Sequence, residues 1–466
     1  VRAVIALLAA CAPPGPHAGE VVVRLPPEAA GWAHAVGDVW TEHVVDHVDV
    51  RLPLALVPPG AAVLIDDLDA AVARSRSGGA GGLLDDWLPL DAIESHLDAL
   101  DASPRAERVV LGASVEGRPL VGLRIGRDGP DDDVGVLVIG AQHAREWVAA
   151  SAALAVADRL AWSEEPAVAD LLARRRVVVV PVANPDGYEH TWTTDRLWRK
   201  NRRAHGDGAF GVDLNRNWAA GFGGVGAPDR TPSDNYPGSA PFSEPETAAL
   251  RDWLLERPRY GLVLDLHCTG QVALHPFAST GAPAPDAAAL AEVTAAMAAS
   301  ASAVHGEDYR AGSFHDALYP ASGVAIDWAH EAVGATSALL ELRDRGVWGF
   351  LLPPDQIEPT ADEAFEALIA LAAAAPRPAL TLQDGGATAR IDRLVAGEEV
   401  EVWASARGLG ETVLPDGTVL GLADAVRVGV GRAGPRGRAR VSVPPGAGAW
   451  VQARAGAGTT VPARRP

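Results

Sequence analysis

Polar residues of types that do chemistry follow directly on three short apolar runs. Val134–Ile139 leads into Gly140-Ala141-Gln142-His143-Ala144-Arg145-Glu146-Trp147, Leu262–Leu266 leads into His267, and Ser337–Leu340 leads into Glu341-Leu342-Arg343-Asp344. Short runs of Val, Ile and Leu suit strands in a sheet covered on both faces. In open α/β sheets, ligands bind beyond the carboxyl ends of such strands. The three ends thus carry two His, two Glu and two Arg toward what the pattern predicts to be one edge. His143 and Glu146 are three apart and share a face of a turn or first helical turn. With a distant histidine such as His267 they make a His₂Glu set, one of the recognised catalytic zinc triads. The His-x-x-Glu spacing alone often arises by chance. The alternative at this point is a surface ion pair of Arg145 with Glu146, and a hydrogen-bonded structural His267.

The elements that must position these residues lie between Leu83 and Ala375. Val177–Val182 is a fourth buried strand, and Ala-rich helices are expected at Leu90–Leu100, Val148–Trp162, Glu244–Glu256, Asp286–Val304 and Pro359–Ala374. Ser243-Glu244-Pro245-Glu246 is a good start signal for the third of these. Alternation of strand and helix predicts an α/β domain with a mixed, mostly parallel sheet covered by helices. Residues 20–76 read as a separate acidic α+β unit. In it, Val21–Leu25, His47–Leu52 and Ala62–Ile65 are strands, and Trp32–Trp40 and Leu68–Arg74 are helices. The Gly-rich stretch Arg74–Gly82 reads as a flexible linker and an accessible proteolysis site. Residues 376–466 contain short strands between Gly/Pro turns and predict a small β-sandwich. The expected divisions are 1–19, 20–82, 83–375 and 376–466.

With 48% hydrophobic and 21% charged residues over 466, the chain is globular rather than disordered. The net charge of −20 is opposite to that of a nucleic-acid binder. Two cysteines, Cys11 and Cys268, exclude a disulfide framework and any CxxC zinc site. No uninterrupted apolar run reaches the ~18 residues that span a bilayer. Val1–Cys11 has the basic–apolar–small order of a secretory leader. Leu8-Ala9-Ala10-Cys11 also resembles a bacterial lipobox, which would lipidate Cys11; the alternative is a plain leader cleaved near Ala18. The expected location is secreted or cell-surface.

Several further motifs occur in order. They are His143-Ala-Arg-Glu146-Trp, Trp198-Arg199-Lys200, Asp213-Leu-Asn215-Arg216-Asn217-Trp218, His267, Tyr319-Pro-Ala-Ser-Gly, Ile326-Asp327-Trp328 and Glu341-Leu-Arg343-Asp344. Together they resemble the zinc metallocarboxypeptidases of the pancreatic carboxypeptidase A/B type, over roughly Leu83–Ala375. Residues 20–76, with Asp38-Val39-Trp40 and Val63-Leu64-Ile65-Asp66-Asp67, resemble that family's activation domain. The resemblance implies one zinc ion held by His143, Glu146 and His267, with Asp213 orienting His143. It implies Glu341 as the general base and Arg199 as the group that stabilises the oxyanion. Asn215 and Arg216 would grip the substrate's C-terminal carboxylate, and Tyr319 would close over it. Arg196 and Phe350 match outer subsites. The specificity position falls on Ile326, which implies an apolar pocket; a one-residue shift to Asp327 would invert that preference. The implied protein is a monomeric zymogen of a zinc exopeptidase acting on peptide or protein C-termini. It has no nucleic-acid partner and no transmembrane segment.

Other signals carry less. Gly221-Phe-Gly223-Gly-Val-Gly226 fits GxGxxG but follows Asn217-Trp218 rather than a strand. Cys268 reads as a small buried residue. The rivals are a peptidase that trims cell-wall peptides and a non-catalytic binding protein of the same fold.

Overall fold

The computed structural model describes residues 15–43, 47–76, 82–126, 135–256, 260–284, 286–373 and strand segments between 379 and 464. The expected leader up to residue 14, with Cys11, and the linker core 77–81 lie outside the described residues.

Eight strands make the central sheet: β5 (Ala106–Ala113), β6 (Pro119–Ile125), β7 (Gly135–Gly140), β8 (Val177–Val180), β9 (Tyr260–Cys268), β10 (Val272–His275), β11 (Arg310–Ser313) and β12 (Thr336–Leu342). Their order is β11-β10-β12-β9-β7-β8-β6-β5. The central strands β12, β9, β7 and β8 are mutually parallel, and antiparallel pairs flank them. This is the mixed, mostly parallel sheet that the sequence predicts.

Alternate residues of the central strands feed two cores, as a period of two requires. Val136, Val138, Val177, Val179, Leu262, Leu264, Leu266 and Leu340 pack under the helices Leu90–Leu100, Trp147–Trp162, Ala287–His305 and Ile357–Ala373. Leu137, Ile139, Val178, Val180 and Val263 pack on the opposite face against Trp218, Trp328 and the helix Pro245–Glu256. The helix Ala287–His305 is long and apolar enough to cross a membrane by length and composition, although Glu292 interrupts its apolar run. Leu290, Thr294, Met297, Ala298 and Ala301 are buried in the fold.

The N-terminal unit is an antiparallel sheet of β1 (Glu20–Leu25), β2 (Asp38–His43), β3 (His47–Pro53) and β4 (Ala62–Ile65), in the order β2-β3-β1-β4. The helix expected over Trp32–Trp40 stops at Val36, and Asp38–His43 is a strand. Gly37 makes the break: it is extended, and a side chain there would meet the Arg51 carbonyl of β3 at 2.4 Å. Beyond residue 378, the strands Ala379–Gln383, Thr388–Asp392 and Ala439–Ser442 form one sheet, and Glu399–Ser405, Val426–Arg432 and Trp450–Ala455 belong to another. Val400, Val402, Val441 and Val451 share a core between them. The β5–β6 hairpin and β10–β11 escape the sequence reading. No residue of β5 is fully buried, and β10 and β11 are only four residues long.

The loop that carries Tyr319 is fastened through Gly323. Its N–H donates to the Ala220 carbonyl at 2.8 Å, and its carbonyl accepts from Trp218 N–H at 3.1 Å. Its φ is +72°, and a Cβ would lie 2.0 Å from the Arg216 carbonyl oxygen. The left-handed conformation alone costs an L-residue about 1–2 kcal/mol, and the clash adds to it. Gly323→Ala should therefore lower the calorimetric melting temperature by several degrees. An unchanged Tm would mean that this contact does not constrain the loop.

Candidate active site

Parallel pairing sets Glu341 of β12 directly beside His267 of β9, while Gly140 at the end of β7 pairs with Leu266. The chain then turns after β7, and Glu146 immediately precedes the helix Trp147–Trp162. The three strand ends thus meet at one edge, as the pattern of apolar runs predicts.

His143 Nδ1 lies 2.8 Å from Glu146 Oε1, His267 Nδ1 lies 3.0 Å from Glu146 Oε2, and the two Nδ1 atoms are 3.1 Å apart. All three side chains are buried. The outward ring nitrogens face carboxylates: His143 Nε2 is 3.0 Å from Asp213 Oδ1, and His267 Nε2 is 3.0 Å from Asp265 Oδ2. A neutral imidazole whose Nε2–H points at a carboxylate carries a lone pair on Nδ1, and a bound cation favours that form over the protonated ring. Two such lone pairs and a carboxylate then converge on one point, and a cation among them removes the repulsion. Ring nitrogens held from behind by carboxylates are the usual arrangement of metal-ligating histidines, so these residues fit zinc. The same field shows in ionisation. Burial alone would lower the His267 pKa, but Asp265 and Glu146 outweigh it and hold it well above the usual imidazole range. Burial would raise Glu146, but His143 and His267 hold it far below the carboxylate range.

Asp213 and Asp265 each serve two partners. Asp213 Oδ2 accepts from Arg199 Nε at 3.2 Å and from an Arg199 terminal nitrogen at 2.8 Å. Arg199 thereby comes within 3.3 Å of His143 Nδ1. Asp265 accepts from Gln142 Nε2 at 2.9 and 2.8 Å, and Trp218 Nε1 donates to Gln142 Oε1 at 3.1 Å. Neither Asp265 nor Gln142 was singled out from sequence. The available signal was Asp265-x-His267 in a strand, where a period of two puts both side chains on one face.

Glu341 lines the same cavity, of about 340 Å³, and its Oε2 is buried without a hydrogen-bond partner among the described residues. Burial, helped by the Glu146 charge and opposed by His267 and Arg199, pushes its carboxyl up to about 8. An orphaned carboxylate oxygen beside the metal-ready cluster can accept a proton.

Arg216 and Tyr319 come together, with an Arg216 terminal nitrogen 3.4 Å from the Tyr319 hydroxyl. Arg216 also donates to the carbonyls of Asn215 at 2.8 Å and Gly226 at 3.2 Å, so the discounted Gly-rich stretch backs the guanidinium. Asn215 Oδ1 accepts from Ala325 N–H at 2.8 Å, and its Nδ2 is 3.2 Å from His267 Nε2. Ile326 is fully buried in an apolar cluster with Val272, Leu274, Phe314, Val324 and Leu339. Asp327 spends both oxygens on Ala278 N–H, Ser279 N–H and the Ser279 hydroxyl, at 2.9–3.1 Å.

Phe350 lines the cavity, whereas Arg196 is buried away from the lining. Arg196 donates to the carbonyls of Arg145 at 2.8 Å and Phe350 at 2.7 Å, and its guanidinium lies 3.6 Å over the Trp147 ring. Its two terminal nitrogens thereby brace two lining residues from behind. Cys268 is buried, and burial holds its thiol well above the usual range, as suits an inert residue.

One wall of the cavity comes from the N-terminal unit, residues His34–Trp40. Asp38 binds Arg145 through both oxygens, at 2.6 and 3.1 Å, and also accepts from Trp40 Nε1 at 3.0 Å. Trp40 packs on Phe350 with ring centroids 5.1 Å apart.

The family model for zinc carboxypeptidases matches residues 93–367. Carboxypeptidase A2 of Rattus norvegicus is 32% identical over 71% of this chain and 85% of its own length. Carboxypeptidase B of Astacus astacus is 38% identical over 59% of this chain and 92% of its own. Among solved structures, thrombin activatable fibrinolysis inhibitor superposes with a TM-score of 0.69 at 26% identity, covering 76% of this chain and 98% of that one. The carboxypeptidase A of Helicoverpa armigera gives 0.68 at 28% identity, covering 76% and 98%. Motif order, sheet topology and the His–Glu–His cluster agree with these matches: the chain belongs to the zinc carboxypeptidase family and is a metallocarboxypeptidase of the A/B type, with zinc as its cofactor.

Proposed function

We propose that this chain is the exported zymogen of an exopeptidase that removes bulky apolar or aromatic residues from peptide C-termini. The convergence of His143, Glu146 and His267 beside the orphaned Glu341 oxygen carries the reading. The leader-like first residues motivate export; nothing beyond Leu8–Cys11 supports a lipid anchor. Residues 20–82 serve as the pro-domain and linker, 83–375 as the catalytic domain and 376–466 as an accessory unit. The chain acts as a monomer.

In this reading His143, Glu146 and His267 hold the zinc ion, which polarises the scissile carbonyl and makes water more acidic. Asp213 and Asp265 fix the two rings. Asn215 and Arg216 bind the substrate's terminal carboxylate, for which a planar guanidinium is suited, and Tyr319 closes over it. Arg199, aimed by Asp213, stabilises the oxygen that gains charge. Glu341 takes a proton from the attacking water and passes it to the leaving nitrogen. Glu341→Gln should then lower kcat by ~10²–10⁴-fold with zinc content unchanged. A variant that keeps more than about half the parental rate would contradict this role.

The apolar preference rests on Ile326 and on the commitment of Asp327 to Ala278 and Ser279. Burial of a Leu or Phe side chain contributes roughly 1.5–3 kcal/mol. Blocked dipeptides ending in Phe or Leu should be cleaved at least tenfold faster, by kcat/KM, than those ending in Lys or Arg. The reverse order would place an acid in the pocket.

Inhibition by the N-terminal unit rests on its wall, His34–Trp40, and on the Asp38–Arg145 pair. Burial opposes ionised Asp38, yet Arg145 and Arg51 outweigh it and hold its carboxyl below the usual range. A lowered pKa in the docked state means that this contribution is full at neutral pH and is lost as the pH falls through the acid range. Limited trypsin treatment of the intact chain should raise peptidase activity, with the cut mapped between Arg74 and Gly82 by mass spectrometry. Equal rates before and after release of residues 20–76 would refute the zymogen reading alone.

A further inference from the structure

The carboxylates behind the two ligating rings are supported unequally. Asp213, behind His143, accepts from two nitrogens of Arg199 and from Asn215 N–H at 2.9 Å. Asp265, behind His267, has one other side-chain hydrogen-bond partner among the described residues, Gln142. The Gln142 amide nitrogen donates to Asp265 Oδ1 at 2.9 Å and to Oδ2 at 2.8 Å, and Oδ2 is the oxygen 3.0 Å from His267 Nε2. Gln142, Asp265 and His267 are all buried, so bulk water does not replace a partner that is lost.

No neighbour takes over either role. Asn215 Nδ2 lies 3.2 Å from the same His267 nitrogen, but it is a donor, and the Asn215 oxygen is pinned by Ala325 N–H at 2.8 Å. Asp265 is therefore the acceptor that holds His267 from behind. The direction of the Gln142 amide is fixed at both ends. Its oxygen meets Trp218 Nε1, which only donates, at 3.1 Å, and its nitrogen meets a carboxylate, which only accepts. The backbone enforces the same aim. Ala141, between the end of β7 and Gln142, is left-handed at φ +46°. A non-glycine residue keeps that conformation only where its surroundings over-determine it. Here the flanking carbonyls are tied to one segment: Gly140 accepts from Ala183 N–H at 2.9 Å, and Gln142 accepts from Asn184 Nδ2 at 3.1 Å. Adjacent residues thus serve opposite rings: His143 is one ligand, and Gln142 reaches behind the other.

We infer that Gln142 is a positioning residue of the metal centre: acting through Asp265, its amide holds His267 in the orientation that binds zinc. The inference rests on His143, Glu146 and His267 as the zinc ligands, and on neither the substrate preference nor the zymogen reading. Gln142→Met keeps the length and rough shape of the side chain and removes the donor, which frees Asp265 to turn away from the ring.

The test is the zinc dissociation constant of the full chain, measured by competition with a chromophoric chelator on protein shown to be folded by circular dichroism. Gln142→Met should weaken zinc binding by about 10–100-fold, the range for partners that orient ligating histidines. In an Asp265→Ala background the same substitution should add less than about threefold, because coupled residues are not additive. Cobalt(II)-loaded Gln142→Met should also show a visible absorption spectrum shifted from that of the cobalt-loaded parent. A merely structural role would lower the melting temperature of the chelator-treated protein and leave the dissociation constant and the spectrum alone. A folded Gln142→Met within about threefold of the parental affinity overturns the inference. An equally large loss in the Asp265→Ala background also overturns it, since Gln142 would then act by another route. If Gln142→Met does not fold, Gln142→Asn, one methylene short of Asp265, is judged by the same limits. A parent that binds no zinc removes the ligand assignment and this inference together; a parent that binds zinc with an unaffected Gln142→Met removes the inference alone.

Discussion

Three ligating groups that converge on one point set the terms for this structure. His143 Nδ1, His267 Nδ1 and the Glu146 carboxylate face each other at 2.8–3.1 Å, with Asp213 and Asp265 behind the rings. A metal cation at that point takes the place of the proton that Asp265 and Glu146 otherwise hold on His267. Much of the surrounding fold serves to hold it. Four parallel strands bring their ends to one edge, the helix Trp147–Trp162 follows directly on Glu146, and Trp218 and Gln142 lock Asp265. Uncompensated buried charge is costly, so the residues that enclose the cluster are themselves paired with few exceptions. Glu341 Oε2 is one exception.

The surroundings divide into layers with different tasks. Asp213 couples metal-facing His143 to Arg199, so one carboxylate sets the position of two side chains. Arg196 couples Arg145 to Phe350 in the same manner through their carbonyls. The N-terminal unit engages this second layer, not the His–Glu–His cluster: Asp38 binds Arg145 and Trp40 packs on Phe350. A segment that docks on the walls of the cleft can leave without disturbing the residues that face the metal.

The sequence carries the central sheet well because its strands are buried on both faces and read as continuous Val/Ile/Leu runs. It carries β5 poorly, since a strand with no fully buried residue shows no such run. That these strand-end residues meet is legible for the same reason: a His or Glu that ends an apolar run stands out. Asp265 was not, because an acid within the run Leu262–Leu266 looks like an interruption until its partner His267 is placed two residues on. Arg196 was legible as a charged residue in the right motif, but its burial against Trp147 and two carbonyls depends on tertiary contacts. The helix near Trp32 was overextended because the steric demand at Gly37 comes from Arg51, on another strand.

The claim that the three acceptors exist to hold one cation is tested most directly by metal content. Purified full chain, equilibrated with zinc and freed of excess, should contain one zinc per chain by elemental mass spectrometry. His267→Ala, folded by circular dichroism, should contain almost none. A variant that retains the parental zinc, or a folded parent that binds none, would contradict the account.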